Sequence, residues 1–122
     1  MPGTGIADVL VNTHAHSAVV ASFLREWQNG VRVTMVEEPE LYGSAGTLRV
    51  NRKWVELESA FWVFYADVLT SADLNAMLRF HSPASSATLG VYTVPDPGRC
   101  GIVTVDDRDT VSQFVEKPAQ PA

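Results

Sequence analysis

The sequence predicts an α/β domain built on a mixed, mostly parallel sheet. Three apolar stretches, residues 7–12, 31–38 and 61–66, alternate with segments that carry helix signals, and this alternation is typical of parallel strands covered by helices. The last third of the chain instead has strand candidates separated only by turn residues, which predicts antiparallel pairing. Because 122 residues are the size of one domain, we expect a single hydrophobic core.

The first predicted unit is a strand, a helix and a second strand. "ADVLVN" (7–12) has few polar positions, as expected of a strand buried on both faces. The next segment ends in the helix-stop pair Asn29-Gly30. Its apolar residues recur at helical spacing: Val19, Val20, Phe23, Leu24 and Trp27. "VRVTMVEE" (31–38) predicts the second strand, and "PELYGSAGTLRVN" predicts a glycine-containing loop that leads into a helix.

The remaining elements follow from residue 61 onward. "FWVFYA" (61–66) predicts a third strand, and Thr70 with Asp73 has the spacing of a capping box ahead of a helix. Three further strand candidates complete the chain: "SATLGVYTV", "GIVTVD" and "TVSQFVEK". The final "PAQPA" predicts a frayed tail.

Composition and charge limit the classes of partner. The net charge of −5 opposes attraction to nucleic acid or to acidic membranes, so neither is expected. No apolar run approaches the ~20 residues of a membrane helix, and the start of the chain lacks the basic stretch of a secretory signal. We therefore expect a cytoplasmic protein. A single cysteine, Cys100, rules out an internal disulfide framework and a site of several thiolates.

Asp67 is the first candidate site residue. Ligands of open α/β sheets bind at the carboxyl ends of the strands, and Asp67 directly follows the predicted strand 61–66. Its oxygens are hard donors of the kind that Mg²⁺ prefers. Aspartate is also a common turn residue, and the position alone leaves both interpretations open.

Two further motifs carry weaker signals. The backbone of "LYGSAGTL" (41–48) can approach a ligand closely because of its glycines, although the motif taken alone favours a plain loop-to-helix turn. In "FVEKP" (114–118), Lys117 can pair with a phosphate, or it can be a solvated strand end. The three histidines have no metal-binding spacing with cysteine and are expected at the helix start and on the surface.

The order of these motifs is more specific than any one of them. "ADVLVNTHAHSAVVASFL", "EEPELYGSAGTL", "FWVFYADVLTSADLNAMLRFH", "ATLGVY", "GIV" and "VSQFVEKP" follow one another in a way that resembles the sugar-1-phosphate nucleotidyltransferases, closest to the mannose-1-phosphate guanylyltransferase-like branch. The resemblance implies a Rossmann-like α/β/α sandwich. It also implies a reaction that joins a nucleoside triphosphate to a sugar 1-phosphate and releases pyrophosphate with Mg²⁺.

The resemblance assigns roles to particular residues. Asp67 falls on the acid that binds Mg²⁺, and Glu116 with Lys117 matches the pair that holds a sugar hydroxyl and the sugar phosphate. Gly101 matches a glycine that lies against the sugar, with Cys100 standing where an aromatic residue is usual. The loop that contacts the nucleotide base and ribose is matched by Gly43, Ala45, Gly46 and Thr47.

Other parts of the family pattern have no counterpart in the sequence. The glycine-rich "GGxGTRLxP"-type loop, the first strand before it and the second metal-binding acid have no match. We therefore expect residues 1–118 to form a partial nucleotidyltransferase-like domain with 119–122 as a tail, inactive alone. In the family the missing strand lies between those matching 7–12 and 61–66, so we expect unpaired edges and a homo-oligomer. The alternatives are a non-catalytic self-associating module and a binding domain for sugar phosphates or nucleotides.

Overall fold

The computed structural model describes residues 5–27 and 30–118. The sequence predictions that concern Asn29, the tail 119–122 and the first four residues lie outside these ranges. The elements in chain order are β1 (Asp8–Thr13), α1 (Ser17–Glu26), β2 (Arg32–Glu37), α2 (Gly43–Val50), α3 (Arg52–Val55), α4 (Leu74–Phe80), a 3₁₀ turn (Pro97–Arg99), β3 (Gly101–Val105) and β4 (Val111–Glu116). No helix in the described ranges combines the length and the apolar character needed to cross a bilayer.

The strands β1 and β2 form the predicted parallel pair, joined through α1. Their register runs from Asp8 opposite Arg32 to Thr13 opposite Glu37. Residues 9–11 of β1 are half-buried one after another, which is less than the burial on both faces that the sequence predicts. The mixed α/β architecture with a parallel sheet, consistent with a Rossmann-like fold, is therefore confirmed.

An ion pair joins the amino ends of β1 and β2. Arg32 donates from Nε and Nη2 to the two carboxylate oxygens of Asp8, both at 2.6 Å. These hydrogen bonds lower the pKa of Asp8 and raise that of Arg32. Both side chains are exposed, so the pair contributes little to the stability of the fold.

Helix α1 is shorter than the sequence predicts. It ends at Glu26, where Trp27 turns to an extended conformation, before the predicted stop. Phe23 and Trp27 lie with ring centroids 5.4 Å apart and remain exposed. The apolar face is therefore only partly covered within the described part of the chain.

The predicted strand at 61–66 is wrong. Residues 61–65 form no ladder, and a turn follows in which Val68 N–H donates to the Tyr65 carbonyl at 3.1 Å. Except for Trp62, every residue from 61 to 66 is exposed. Apolar sequence favours a strand only when a neighbouring strand supplies hydrogen bonds and cover, and none of the described segments does so here.

Two more expectations need correction. The candidate strand 86–94 also forms no ladder, with Tyr92 79% exposed, for the same reason. Helix α4 is capped by Asp73, whose Oδ1 accepts from Ala76 N–H at 3.0 Å. Thr70 bonds Ala72 N–H instead, so the capping box with Thr70 as its first residue is wrong.

The strands β3 and β4 form the predicted antiparallel hairpin. Gly101 lies opposite Glu116, and Val103 opposite Phe114. In the turn, Asp106 Oδ1 accepts from the backbone N–H groups of Thr110 and Arg108, both at 2.9 Å. These two hydrogen bonds lower the pKa of Asp106, and the one from Thr110 has the larger effect.

The chain divides into two compact units, one up to Phe80 and one from His81. No hydrophobic side chain in the described residues is buried, and the only buried residues there are Thr13 and Glu38. The expected single hydrophobic core is therefore absent from this part of the chain. These many exposed apolar side chains stabilise the protein only when they are buried against another surface.

Candidate functional site

A buried carboxylate lies at the carboxyl ends of β1 and β2. Glu38 is only 2% exposed, and its backbone N–H extends the ladder by donating to the Thr13 carbonyl at 2.7 Å. Its Oε1 accepts from Thr47 Oγ1 at 2.5 Å and from Asn12 Nδ2 at 3.3 Å, and its Oε2 accepts a long bond from Tyr42 N–H at 3.5 Å. One side chain thus ties together β1, the end of β2 and the start of α2.

Sequence reasoning missed Glu38 as an individual residue. It placed the residue inside the predicted strand 31–38, where Glu37 and Glu38 are equivalent acids. Successive strand residues face opposite sides of a sheet, so one of two adjacent acids has to turn inward when one face is covered. That alternation, at a strand end before Pro39, is the signal that could have found it.

His14 lies beside this network. Its Nδ1 is 2.9 Å from the Glu38 carbonyl oxygen. A carbonyl oxygen only accepts, so Nδ1 carries the hydrogen, and in the neutral ring Nε2 is left as an acceptor. His16 stands just before α1 with φ +58°, at the helix start as expected.

The four residues matched to the nucleotide loop all lie in α2. Gly43 has φ +68°, a conformation that favours glycine. At Gly46 an added Cβ would lie 2.7 Å from Tyr42 Cβ, so only glycine lets the turn close against Tyr42. Thr47 is half-buried and bonds Glu38, whereas Ala45 is exposed.

Asp67 occupies an exposed turn after the unpaired segment 61–65. Its side chain makes no hydrogen bond or ion pair within the described residues, so both oxygens are accessible and fit a hard cation. The segment is tied to α2 by a hydrogen bond of 3.0 Å between Tyr65 Oη and Ser44 Oγ. No three metal-ligating side chains gather anywhere in residues 5–27 or 30–118.

In the second unit, the structure brings together Gly101, Glu116 and Lys117. Glu116 pairs with Gly101 across the hairpin, and Lys117 N–H donates to the Cys100 carbonyl at 3.0 Å. Lys117 Nζ lies 3.7 Å from Glu116 Oε1, both side chains being exposed. A Cβ at Gly101 would lie 2.7 Å from Phe114 Cζ, so a larger residue there would have to displace the exposed Phe114 ring.

Each unit has a cavity that touches one of the predicted glycines. Beside α2, a cavity of about 620 Å³ is lined by Tyr42, Gly46 and the cations Arg49, Arg52 and Lys53. In the other unit, Gly101 and Cys100 line a second cavity of about 620 Å³, otherwise mainly apolar. The predicted nucleotide residues and Asp67 belong to the first unit, and the predicted sugar residues belong to the second.

This arrangement of a parallel β-α-β unit, a glycine-bearing helix start and a lysine at a strand end agrees with a family match over residues 1–122. The chain belongs to the nucleotidyl transferase family. It is similar to the probable mannose-1-phosphate guanylyltransferase 1 of Oryza sativa subsp. japonica, with 31% identity over 93% of this chain and 33% of that protein.

Two other relatives have related names. The mannose-1-phosphate guanyltransferase of Candida albicans is 28% identical over 98% of this chain and 35% of its own length. The mannose-1-phosphate guanyltransferase beta-A of Xenopus laevis is 29% identical over 93% of this chain and 33% of its own length. The chain thus spans about one third of the length of the curated relatives that it matches. No solved structure matches the chain.

Proposed function

We propose that the chain is a nucleotidyltransferase module of the mannose-1-phosphate guanylyltransferase type. The reaction is the joining of a nucleoside triphosphate to a sugar 1-phosphate. The sugar phosphate oxygen bonds to the α-phosphorus, the bond from that phosphorus to the β-phosphate oxygen breaks, and pyrophosphate leaves. The observation that carries the proposal is the similarity to mannose-1-phosphate guanylyltransferases over more than nine-tenths of the chain.

Joining two polyanions requires positioning and neutralisation of charge. The Lys117 ammonium group would hold the sugar phosphate, and the Glu116 carboxylate beside it would accept a hydrogen bond from a sugar hydroxyl. The turn at Gly43 and Gly46 would leave room for the nucleotide. Asp67 would hold Mg²⁺, with water and phosphate oxygens as the remaining ligands, and the ion would neutralise phosphate charge.

We further propose that these 122 residues do not turn over alone and that they associate with a second copy. The sequence has no match to the family's triphosphate loop or to its second metal-binding acid, and losing one such preorganised group typically costs ~10²–10³ in rate. Among the described residues, the apolar segment 61–65 pairs with no strand and β1 pairs with β2 alone, so both supply surface for a partner strand.

A second candidate function is that of a self-associating module without catalysis. It is favoured by the same segment 61–65, whose exposure suits association better than it suits a closed active site.

The test is pyrophosphate release from GTP and mannose 1-phosphate with Mg²⁺. We expect none from the isolated chain, whereas robust turnover that Asp67→Ala abolishes would refute the inactivity. Titration of either ligand then separates the candidates: a rise in melting temperature requires a surviving pocket. If neither ligand shifts it, the self-associating module replaces the nucleotidyltransferase proposal.

A further inference from the structure

The Glu38 carboxylate is the most enclosed side chain among the described residues. Its hydrogen-bond donors come from three places in the first unit: Asn12 in β1, the Tyr42 backbone just before α2, and Thr47 one turn into α2. An ionised carboxylate only accepts hydrogen bonds, so three donors around two oxygens are a matched set. None of the three is a cation, so within residues 5–27 and 30–118 the carboxylate is held by neutral donors alone.

We propose that Glu38 is a positioning residue that sets the conformation of residues 43–47, the part of α2 to which the proposed function assigns the nucleotide. This inference rests on that function only for the identity of the ligand. Glu38 acts through Thr47, because at 2% exposure its carboxylate is closed to solvent, while its shortest bond goes to the Thr47 hydroxyl.

The chemistry of the network explains why a carboxylate is needed. A glutamine keeps one acceptor oxygen and replaces the other by an NH₂ group, which either faces the Tyr42 N–H donor or makes the Thr47 hydroxyl and the Asn12 amide turn and accept. In the first case a buried donor loses its hydration without compensation, and in the second the charge-assisted hydrogen bonds become weaker neutral ones. The start of α2 should then relax away from the ends of β1 and β2, even though the volume of the side chain is almost unchanged.

Amide hydrogen exchange of residues 46–50 measures this directly. We expect Glu38→Gln and Thr47→Val each to reduce protection there roughly tenfold, the equivalent of about 1.4 kcal/mol. Thr47→Ser, which keeps the hydroxyl, should restore it. Glu37→Gln is the matched control, because Glu37 is the adjacent and exposed acid.

A double-mutant cycle decides whether Glu38 acts through Thr47. If it does, Glu38→Gln combined with Thr47→Val loses little more protection than either variant alone. The proposal would be overturned if the losses of protection in the two single variants add up in the double variant, or if Glu37→Gln loses as much protection as Glu38→Gln. If Glu38→Gln does not fold, Thr47→Val against Thr47→Ser still decides it: equal protection in the two variants means that the bond positions nothing.

Ligand titration provides a second readout that a general loss of stability would not reproduce. Glu38→Gln should weaken GTP binding several-fold and leave mannose 1-phosphate binding unchanged, because the sugar residues belong to the other unit. Equal weakening of both ligands contradicts a positioning role. If the unaltered chain binds no GTP, the nucleotide part of the proposed function fails, and the exchange experiment still decides the role of Glu38.

Discussion

Self-association through residues 61–65 is the prediction with the most direct test. The perturbation is Val63→Lys in the middle of that unpaired segment. Val63 is 53% exposed, and complete burial of a valine side chain is worth ~1.5–3 kcal/mol. The surface still available is about half of the side chain, so its burial between two copies contributes roughly 1 kcal/mol from each.

A two-fold dimer uses the same residue twice. The loss in Val63→Lys is then roughly 2 kcal/mol, or about 30-fold in the dimer dissociation constant. Burying two unpaired ammonium groups increases the loss further, so 30-fold is a lower bound. Val68→Lys is the matched control, because Val68 is 54% exposed and lies beyond the segment.

Sedimentation at micromolar concentration measures the effect. The unaltered chain and Val68→Lys should sediment as dimers or larger species, and Val63→Lys should shift toward the mass of one chain, 13.3 kDa. A mass near 13 kDa for the unaltered chain would refute self-association. Equal dimerisation of the two lysine variants would show that the segment 61–65 is not the interface.

Two further predictions concern the second unit. Lys117→Ala should weaken the affinity for mannose 1-phosphate, by about tenfold if one charge-assisted hydrogen bond to the phosphate is lost, and calorimetry showing an unchanged affinity for mannose 1-phosphate would contradict the assignment. The Asp106 turn should stabilise the hairpin above the ordinary aspartate pKa of 3.8 and lose that contribution as pH falls through the lower folded pKa, because the protonated carboxyl accepts less well from Thr110 and Arg108. Asp106→Asn should flatten this acid dependence in an unfolding series, and an unchanged profile would rule the turn out as its source.

Local patterns predicted the first β-α-β unit and the β3–β4 hairpin. Apolar runs, helical spacing and the turn residues 106–109 are encoded by neighbours in sequence, and these elements form. The segments 61–66 and 86–94 have equally apolar sequences but form no ladder. A strand depends on a partner strand elsewhere in the sheet. A short sequence pattern does not show whether that partner is present.

The features of the candidate site were likewise predicted only in part. The hairpin places Gly101 opposite Glu116 and next to Lys117, and the motif order pointed to these residues. Strand alternation indicates that one of Glu37 and Glu38 turns inward, but the burial of Glu38 also depends on three donors that are 26, 9 and 4 residues away in sequence, which no short pattern predicts. The predicted roles of Asp67 and the other site residues stay predictions.

The backbone at Lys117 has a consequence for how the sequence can vary. Its φ of +44° lies in the region where a side chain costs roughly 1–2 kcal/mol relative to glycine. This bend also lets Lys117 and Glu116 meet on one side of the strand end, although consecutive strand residues normally face apart. Substitution of Lys117 by glycine or asparagine would therefore relieve the backbone strain but remove the ammonium group. At this position the backbone conformation and the side-chain charge thus favour different residues.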